Sequence, residues 1–306
     1  MTSRGPRYRG RFAPSPTGPL HFGSLIAALA SYCDAAAAGG LWLVRIEDVD
    51  EPRSRESAAG NILRTLEAYG FQWDGEVVRQ SARAALYQAA LDCLVAEGRA
   101  YACACSRKEL ETAAIGAGGE RVYPGTCRAG ALPGREARAW RMRVSDEAVA
   151  FRDRLQGLQE QRLERDIGDF IVKRADGMFA YQLAVVVDDA EQCITHVVRG
   201  ADLLASTPRQ IWLQQALKLP TPQYLHHPVA ILGSGDKLSK QTGAVPLPPA
   251  PLPSLLRAWS FLGQDPPEAP VSVRDFWAWA RSSWNTARLP PVAMLPVASA
   301  PGQLAV

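Results

Sequence analysis

The stretch RFAPSPTGPLHFGS, residues 11–24, decides the fold class of this 306-residue chain. Its first two residues, Arg11 and Phe12, end a predicted strand, a loop rich in Pro and Gly follows, and a long helix of small and apolar residues begins near Ser24. A Gly-containing turn with a histidine just ahead of a helix N-terminus can hold a phosphate, because free backbone N–H groups and the helix dipole attract the anion. The stretch therefore predicts a strand–loop–helix unit with His21 at a phosphate site.

The residues that follow complete a βαβ unit. The predicted helix over 24–38 ends at Gly39-Gly40, a pair that favours a helix stop. The segment LWLVRIED at 41–48 is almost continuously apolar until Arg45, which is typical of a buried parallel strand. The unit predicts a Rossmann-like α/β fold with a right-handed crossover.

Strands and helices alternate again in the second half of the chain. Residues 167–187 predict strands around the turn pair Asp176-Gly177, and the run LAVVVDD at 183–189 predicts the second of them as a buried strand. Further strands are predicted at 194–198 and 229–232. This order of elements indicates a nucleotide-binding α/β domain interrupted by an insert.

Three polar groups fall at predicted strand ends, where open α/β sheets bind ligands: Glu47, Asp188 and Arg199. The insert is a smaller α/β subdomain, and a short helical region follows the main domain. The predicted divisions are the first half of the Rossmann-like domain, the insert, the second half, and the Pro-rich linker with the C-terminal region: 1–99, 100–165, 166–243 and 244–306.

The C-terminal region begins with PLPPAPLP at 246–253, a composition typical of a linker. Two short helices are predicted at 254–262 and 273–284, and we expect their tryptophans to be core anchors. Residues from Leu289 onward are rich in Pro and Ala and are expected to be loosely ordered.

Composition and charge exclude some classes of protein. With 47% hydrophobic and 21% charged residues, the chain can bury a large core. The net charge of +3 is not by itself a nucleic-acid footprint. The sequence has no run of about 18 apolar residues that would predict a membrane span, and its basic N-terminus lacks the apolar segment of a secretory signal. We therefore expect a cytoplasmic protein without membrane contact.

The six cysteines divide into two groups. In one group each stands singly in an apolar context and is expected to be a core residue: Cys33, Cys93 and Cys193. The other group forms the pattern Cys103-x-Cys105 followed by Tyr123-x-x-x-Cys127, and three thiolates can bind zinc. Chemistry alone leaves the fourth ligand open between water and a distant histidine, and three unligated thiols remain the alternative.

A second anion-binding candidate lies far along the chain from the first. The segment GDKLSKQ at 235–241 carries Lys237 and Lys240 three residues apart in a Gly-rich loop. Neighbouring glycines favour mobility, and two lysines on a mobile loop can neutralise pyrophosphate as it leaves. The segment therefore predicts the second half of a nucleotide site.

HFGS at 21–24 and KLSKQ at 237–241 together resemble the HIGH and KMSKS elements of class I aminoacyl-tRNA synthetases, in versions similar to those of the glutamyl branch. The resemblance implies the Rossmann-like catalytic domain of that class. It also implies that His21, Lys237 and Lys240 are catalytic. The implied site for ATP, which is used with Mg²⁺, comprises five residues: His21, Gly23, Ser24, Lys237 and Lys240.

Four further segments are similar to glutamyl-synthetase motifs and occur in the same order: RFAPS, RIEDVD, FAYQLA and HVVRGADLL. The resemblance assigns glutamate recognition to six residues: Arg11, Ala13, Ser15, Glu47, Tyr181 and Arg199. Their chemical types fit, because a planar guanidinium clamps a carboxylate and a carboxylate such as Glu47 receives an ammonium group.

The pattern CxC…YxxxC resembles the zinc element of the glutamyl-Q subgroup, in which the tyrosine fills the fourth ligand position. The resemblance implies one structural zinc ion in the insert. Its ligands would be Cys103, Cys105, Tyr123 and Cys127.

The 65 residues after Gln241 are too few for the large anticodon-binding region of full-length glutamyl synthetases. With the motifs above, the chain resembles the glutamyl-queuosine tRNA(Asp) synthetases. That family activates L-glutamate with ATP without needing tRNA, and transfers it to queuosine at the wobble position of tRNA(Asp). A monomer is expected from the family. Two alternatives remain: a truncated glutamyl-tRNA synthetase that acylates the tRNA 3′ end, and a non-catalytic tRNA-binding paralogue.

Overall fold

A computed structural model of the chain describes residues 7–50, 54, 56–130, 134–232, 245–268 and 272–297. The strands are β1 Arg9–Phe12, β2 Leu41–Ile46, β3 Val78–Arg79, β4 Ala100–Cys103, β5 Ala139–Met142, β6 Ala148–Asp153, β7 Gly157–Arg162, β8 Phe170–Lys173, β9 His196–Gly200, β10 Gln223–His227, β11 Val229–Ile231 and β12 Met294–Pro296. The helices are α1 Phe22–Ala37, α2 Glu56–Ala68, α3 Ala84–Ala96, α4 Leu163–Asp166, α5 Tyr181–Glu191, α6 Thr207–Ala216, α7 Pro251–Phe261 and α8 Val273–Ser283.

A parallel sheet forms the centre of the catalytic region. β1 pairs in parallel with β2, β2 with β3, and β9 with β10. The Thr195 N–H donates to the Arg9 carbonyl at 2.9 Å, which places β9 beside β1. The spatial order is therefore β3-β2-β1-β9-β10. The strands β2 and β3 follow on one side of β1, and the later strands β9 and β10 lie on its other side, so the order of strands reverses between β1 and β9. Open α/β sheets bind ligands at such a reversal point.

Helix α1 packs against β1 and β9 and forms the middle of the main core. The predicted helix over 24–38 is confirmed, and it stops at Gly39, which adopts a left-handed conformation with φ +59°. Gly40 is required for a different reason. A Cβ there would lie 2.6 Å from the carbonyl oxygen of Tyr8, so the start of β2 can approach the N-terminal strand only without a side chain.

The segment predicted as the insert, 100–165, contains a hairpin and two strands of an antiparallel sheet whose third strand, β8, follows the segment. β4, β5 and β8 form a three-stranded antiparallel sheet, and β6 pairs with β7 in the hairpin. A second core lies under these elements, built from side chains such as Tyr87, Leu91 and Val172. The hairpin reaches back to the catalytic sheet, because the Arg154 N–H donates to the Tyr224 carbonyl at 2.9 Å.

The run LAVVVDD at 183–189 is helical, so its prediction as a strand was wrong. The turn at Asp176-Gly177 does form a hairpin, but its second arm gives only a bridge between Lys173 and Phe179 before α5 begins. Every residue of the run is buried. A helix covered on all sides has no polar face, so its sequence lacks the 3.6-residue periodicity that distinguishes it from a buried strand. Asp188, predicted at a strand end, therefore lies within a helix.

The C-terminal helices α7 and α8 confirm the prediction at 254–262 and 273–284, and both pack on α1. Their tryptophans are core anchors: Trp259, Trp277 and Trp284 are buried, and Trp279 is partly buried against the same core. The Pro-rich segment also has fixed contacts. The Leu247 N–H donates to the Leu20 carbonyl at 2.9 Å, beside the start of α1.

Two smaller expectations were wrong. The described part of the C-terminal segment, from Leu289 to Val297, is not loosely ordered, because β12 adds in parallel to β11 and Leu289 is buried. Strand β11 offers unpaired backbone groups, and β12 satisfies them. Residues 298–306 lie outside the described residues.

Cys33 is buried as expected, but Cys93 and Cys193 are exposed on the outer side of α3 and in the turn after α5. Among the described residues, no helix is both long and apolar enough to cross a membrane.

Candidate active site

A cavity of about 700 Å³ opens at the point where strand order reverses, between β1 and β9 and under the start of α1. All the described residues that the sequence predicted for glutamate or ATP line it: Arg11, Ala13, Ser15, His21, Gly23, Ser24, Glu47, Tyr181 and Arg199. The volume falls in the range of sites for small molecules and nucleotides. Lys237 and Lys240 lie outside the described residues, so the structure places nine predicted residues in one cavity and says nothing of the two lysines.

One end of the cavity suits an anion. His21 is extended, with φ −125° and ψ 177°, and α1 starts at the next residue. The first turn of α1 carries no acidic side chain, and the His21 side chain does not cap it. Gly23 and Ser24 therefore bring backbone N–H groups of the helix N-terminus to the cavity wall, where the helix dipole favours a phosphate.

The other end carries ionisable side chains from three elements. Arg11 lies in β1 with only 4% of its surface exposed, Glu47 follows β2, and Tyr181 begins α5. Burial raises the pKa of the Tyr181 hydroxyl, so it remains a neutral donor at pH 7. Burial also raises the pKa of Glu47, although Arg45 and Arg11 oppose the shift. A cationic ligand beside Glu47 would favour its ionised form.

Arg11 is held from behind by Asp189. The Nε and Nη2 atoms of Arg11 donate to the two carboxylate oxygens of Asp189 at 3.2 and 3.5 Å. Arg45, which is fully buried, also contacts Asp189 at 2.8 Å and Glu47 at 3.2 Å. Burial alone would raise the pKa of Asp189, but the two guanidinium groups outweigh it and hold that pKa below its usual range.

Asp188 closes the same cluster one residue earlier in α5. Its carboxylate accepts from Gln80 at 2.8 Å, Tyr87 at 2.9 Å and Arg83 at 2.6 Å. The two neighbouring aspartates thus connect the cavity wall to the elements that follow β3. Asp189 and Arg45 were not predicted as site residues. A charged residue inside an apolar run, such as Arg45 in LWLVRIED, was the signal available, because a buried charge requires a partner.

Arg199 approaches the cavity from β9 and is 5% exposed. Its Nε donates to the Nε2 atom of His226 at 2.9 Å, and its Nη2 donates to Thr207 at 2.8 Å. Sequence reasoning also missed His226 and Thr207, since nothing in the local pattern links them to the arginine. Arg11 and Arg199 thus bring two guanidinium groups into one cavity, each oriented by buried partners.

The cysteine cluster lies in the insert, away from this cavity. The Sγ atoms of Cys103, Cys105 and Cys127 lie within 4.8 Å of one another. The Tyr123 hydroxyl oxygen is 3.5 Å from both Cys103 and Cys105. Tetrahedral zinc with Zn–S bonds of about 2.3 Å and a Zn–O bond of about 2.0 Å spaces sulfur and oxygen ligands about 3.5 Å apart. The donor set therefore fits one tetrahedral zinc ion, with Tyr123 as the fourth ligand.

Comparison with known proteins identifies the family of the chain. The model of the family "tRNA synthetases class I (E and Q), catalytic domain" matches residues 7–247. A glutamyl-Q tRNA(Asp) synthetase of Dechloromonas aromatica (strain RCB) is 58% identical over 288 residues, covering 92% of this chain and 96% of the relative. Another, from Aromatoleum aromaticum, is 54% identical over 290 residues, covering 93% and 91%.

A solved structure shares the fold. The glutamate tRNA ligase from Elizabethkingia meningosepticum CCUG26117, in complex with its amino acid, superposes with a TM-score of 0.79 at 23% identity, covering 96% of this chain and 67% of that one. The fold of that ligase thus extends over nearly the whole chain. Because the family model spans most of the chain and relatives above 50% identity cover more than nine-tenths of it, this chain belongs to the glutamyl-Q tRNA(Asp) synthetase family of class I tRNA synthetases.

Proposed function

We propose that this chain activates L-glutamate with ATP and then transfers the glutamyl group to the queuosine base of tRNA(Asp). The observation that carries the proposal is the cavity itself, which unites a helix N-terminus suited to phosphate with two arginines, a glutamate and a tyrosine suited to an acidic amino acid. The names of the relatives above support tRNA(Asp) as the acceptor.

The amino acid occupies the end lined by β1, β9 and α5. Arg11 and Arg199 bind its carboxylates, Glu47 receives the α-ammonium, and the Tyr181 hydroxyl donates to the ligand. Ala13 and Ser15 also line the cavity. A ligand with one carboxylate fewer would leave a buried guanidinium unpaired, which is the basis for selecting glutamate.

In the first step a carboxylate oxygen of glutamate forms a bond to the α-phosphorus of ATP, and the bond from that phosphorus to the oxygen of pyrophosphate breaks. His21, Gly23 and Ser24 bind the phosphates, and Lys237 and Lys240 stabilise the pyrophosphate as it leaves. Mg²⁺ enters with ATP and supplies further charge neutralisation on the phosphates. In the second step a hydroxyl oxygen of queuosine forms a bond to the acyl carbon, the bond from that carbon to the phosphate oxygen of AMP breaks, and the hydroxyl proton passes to solvent.

The zinc ion is proposed as a structural one. Cys103, Cys105, Tyr123 and Cys127 would hold it, and it would tie the loops of the insert that begin after β4. We further propose that the protein is a cytoplasmic monomer. Its partners would be ATP, L-glutamate and queuosine-containing tRNA(Asp).

The test has two stages. We expect glutamate-dependent exchange of pyrophosphate into ATP without tRNA, and then acylation of queuosine-containing tRNA with labelled glutamate. After nuclease digestion, the label is expected on an anticodon-loop nucleoside and is expected to be absent with tRNA that lacks queuosine. Label on the terminal adenosine would indicate 3′ acylation instead, and the absence of any exchange would indicate a non-catalytic paralogue.

A further inference from the structure

Arg199 is supported from behind by a buried chain of side chains. Its Nε atom donates to Nε2 of His226 at 2.9 Å, and the Nδ1 atom of His226 lies 2.6 Å from the Oδ2 atom of Asp153. Nη2 of Arg199 donates to the Thr207 hydroxyl at 2.8 Å, and that hydroxyl donates onward to the Leu203 carbonyl. His226, Asp153 and Thr207 are each at most 2% exposed.

These contacts fix the protonation of the imidazole. An arginine side chain can only donate, so Nε2 of His226 must accept, and the ring must be neutral with its proton on Nδ1. That proton is donated to Asp153. Burial and the charge of Arg199 lower the pKa of His226 to about 4, which keeps the ring neutral at pH 7 despite the opposing effect of Asp153. The tautomer is thus assigned from the hydrogen-bond pattern.

Asp153 is itself fixed by the hairpin between β6 and β7. Its Oδ1 atom accepts three backbone N–H groups, those of Leu155 at 2.9 Å, Gln156 at 2.8 Å and His226 at 3.2 Å. Because Oδ1 is committed to the backbone, Oδ2 must face the imidazole. One carboxylate from the insert therefore determines which nitrogen of His226 carries the proton.

The third nitrogen of Arg199 remains for a ligand. Among the described residues, Nη1 is buried without a hydrogen-bond partner, and the side chain lines the cavity. Leaving a buried guanidinium nitrogen unsatisfied is costly, so an acceptor on a bound ligand would complete the arrangement. We propose that Asp153 and His226 are positioning residues that fix the orientation of Arg199, so that Nη1 is presented to a carboxylate of the amino acid. This inference rests on the proposed activation of glutamate.

The sharpest variant is Asp153→Asn. The amide oxygen can still accept the three backbone N–H groups, which forces the amide NH₂ toward His226. Nδ1 must then accept, the proton moves to Nε2, and two donors face each other at Arg199. We expect KM for glutamate in pyrophosphate exchange to rise about 10- to 100-fold, the size of a lost hydrogen bond to a charged group, while KM for ATP stays within about twofold.

A matched control is Asp169→Asn. Asp169 is equally buried, and its carboxylate accepts from the Tyr101 hydroxyl at 2.6 Å and the Val144 N–H at 2.8 Å; none of these three residues lines the cavity. We expect this variant to change stability but not KM for glutamate. His226→Gln and His226→Leu form a second pair. The glutamine can place an oxygen near the position of Nε2 and should retain a lower KM for glutamate than the leucine.

The tautomer is measured without substrate by ¹⁵N NMR of histidine-labelled protein, since the chain has four histidines and His226→Gln identifies the signal. We expect a protonated Nδ1 in the wild type and a protonated Nε2 in Asp153→Asn. A wild-type ring protonated on Nε2, or an unchanged KM for glutamate in Asp153→Asn, would overturn the positioning role alone. Absence of glutamate-dependent exchange in the wild type would reject the proposed function, and the role of Arg199 with it.

Discussion

At the scale of single residues, the end of the cavity that carries Arg11 and Glu47 depends on charged side chains behind the cavity wall. Arg45 is fully buried and contacts Glu47, Asp188 and Asp189, while Asp189 also holds Arg11. Removing one partner from such a cluster leaves an uncompensated buried charge. The cluster therefore couples the shape of the ligand site to the stability of the fold.

The first prediction concerns Asp189→Asn. We expect KM for glutamate to rise about tenfold or more, because Arg11 loses its paired carboxylate, and the free energy of unfolding to fall by about 3 kcal/mol. Exchange kinetics and urea unfolding measure the two effects. Asp176→Asn is the control, since Asp176 forms an exposed ion pair with Arg174 that should contribute less than about 1 kcal/mol. Equal effects of the two variants would contradict the role of the cluster.

The stability difference between the wild type and Asp189→Asn should depend on pH. The folded-state pKa of Asp189 is held below its unfolded value, so its ionised form stabilises the protein above an unfolded pKa of about 3.9. That contribution is lost as the pH falls through the folded pKa. We expect the stability difference between wild type and Asp189→Asn to be constant from about pH 5 to 7 and to shrink below about pH 4. A difference that grows on acidification would contradict it.

Residues that belong to a sequence motif could be predicted from the sequence. Residues that only position those motif residues could not. Arg11, Glu47 and Arg199 stand in segments whose order and chemistry predict a site for an acidic amino acid, and the structure gathers them in one cavity. Asp153 and His226 are 73 residues apart, and their contact depends on the hairpin meeting β10. Local pattern contains no information on such a meeting.

At the scale of elements, the sequence predicted the βαβ unit because its signals are local. The glycines that end α1, the apolar run of β2 and the Pro/Gly loop each act within a few residues. Helix α5 was missed because burial on every side removes the periodicity that identifies a helix. Strand β12 was missed because only the open edge of β11, far away in sequence, makes it a strand.

The turn between α1 and β2 gives the second prediction. Gly39→Ala and Gly40→Ala differ by one position but meet different constraints. Gly39 has a positive φ with open space at its Cβ position, so alanine should cost about 1 kcal/mol. At Gly40 the new Cβ would lie 2.6 Å from a backbone oxygen of Tyr8, so we expect a larger loss of at least about 2 kcal/mol in urea unfolding. The reverse order of effects would contradict the close approach.

The cysteine cluster gives the third prediction. We expect purified protein to contain one zinc per chain, and Tyr123→Phe to lower zinc affinity at least about tenfold in competition with a chelator. The phenylalanine removes the oxygen that lies 3.5 Å from two thiols and accepts the Cys127 N–H. Tyr101→Phe, in the same small subdomain, is the matched control and should retain zinc. Native protein that is free of metal would contradict the proposed zinc site.

At the scale of the whole molecule, one carboxylate joins four parts of the chain. Asp34, on α1, accepts from the Tyr8 hydroxyl ahead of β1, from Arg154 in the insert hairpin at 2.6 and 3.0 Å, and from the Trp284 indole after α8 at 3.3 Å. The carboxylate is buried, with 4% of its surface exposed. The N-terminal strand, the insert and the C-terminal region therefore meet at a single charged group.

The fourth prediction is that Asp34→Asn lowers the stability of all these parts together. Because Arg154 would lose its buried partner, we expect a loss of about 3 kcal/mol in a single cooperative unfolding transition. Asp92→Asn, on the exposed face of α3, is the control and should change stability by less than about 0.5 kcal/mol. Separate transitions for the insert and the catalytic region would show that the tie at Asp34 does not couple them.

Two consecutive residues at the hairpin between β6 and β7 contact different parts of the molecule. Asp153 contacts His226 beside the cavity, and Arg154 contacts Asp34 on α1. The contact between Asp153 and His226 joins segments 73 residues apart, so the side chains that orient Arg199 come together only where the hairpin packs against β10. Occupancy of the pocket should in turn restrain the hairpin through mass action. We expect the turn between β6 and β7 to become more resistant to proteolysis as the glutamate concentration rises. That resistance would report that the contacts from Asp153 through His226 to Arg199 are formed.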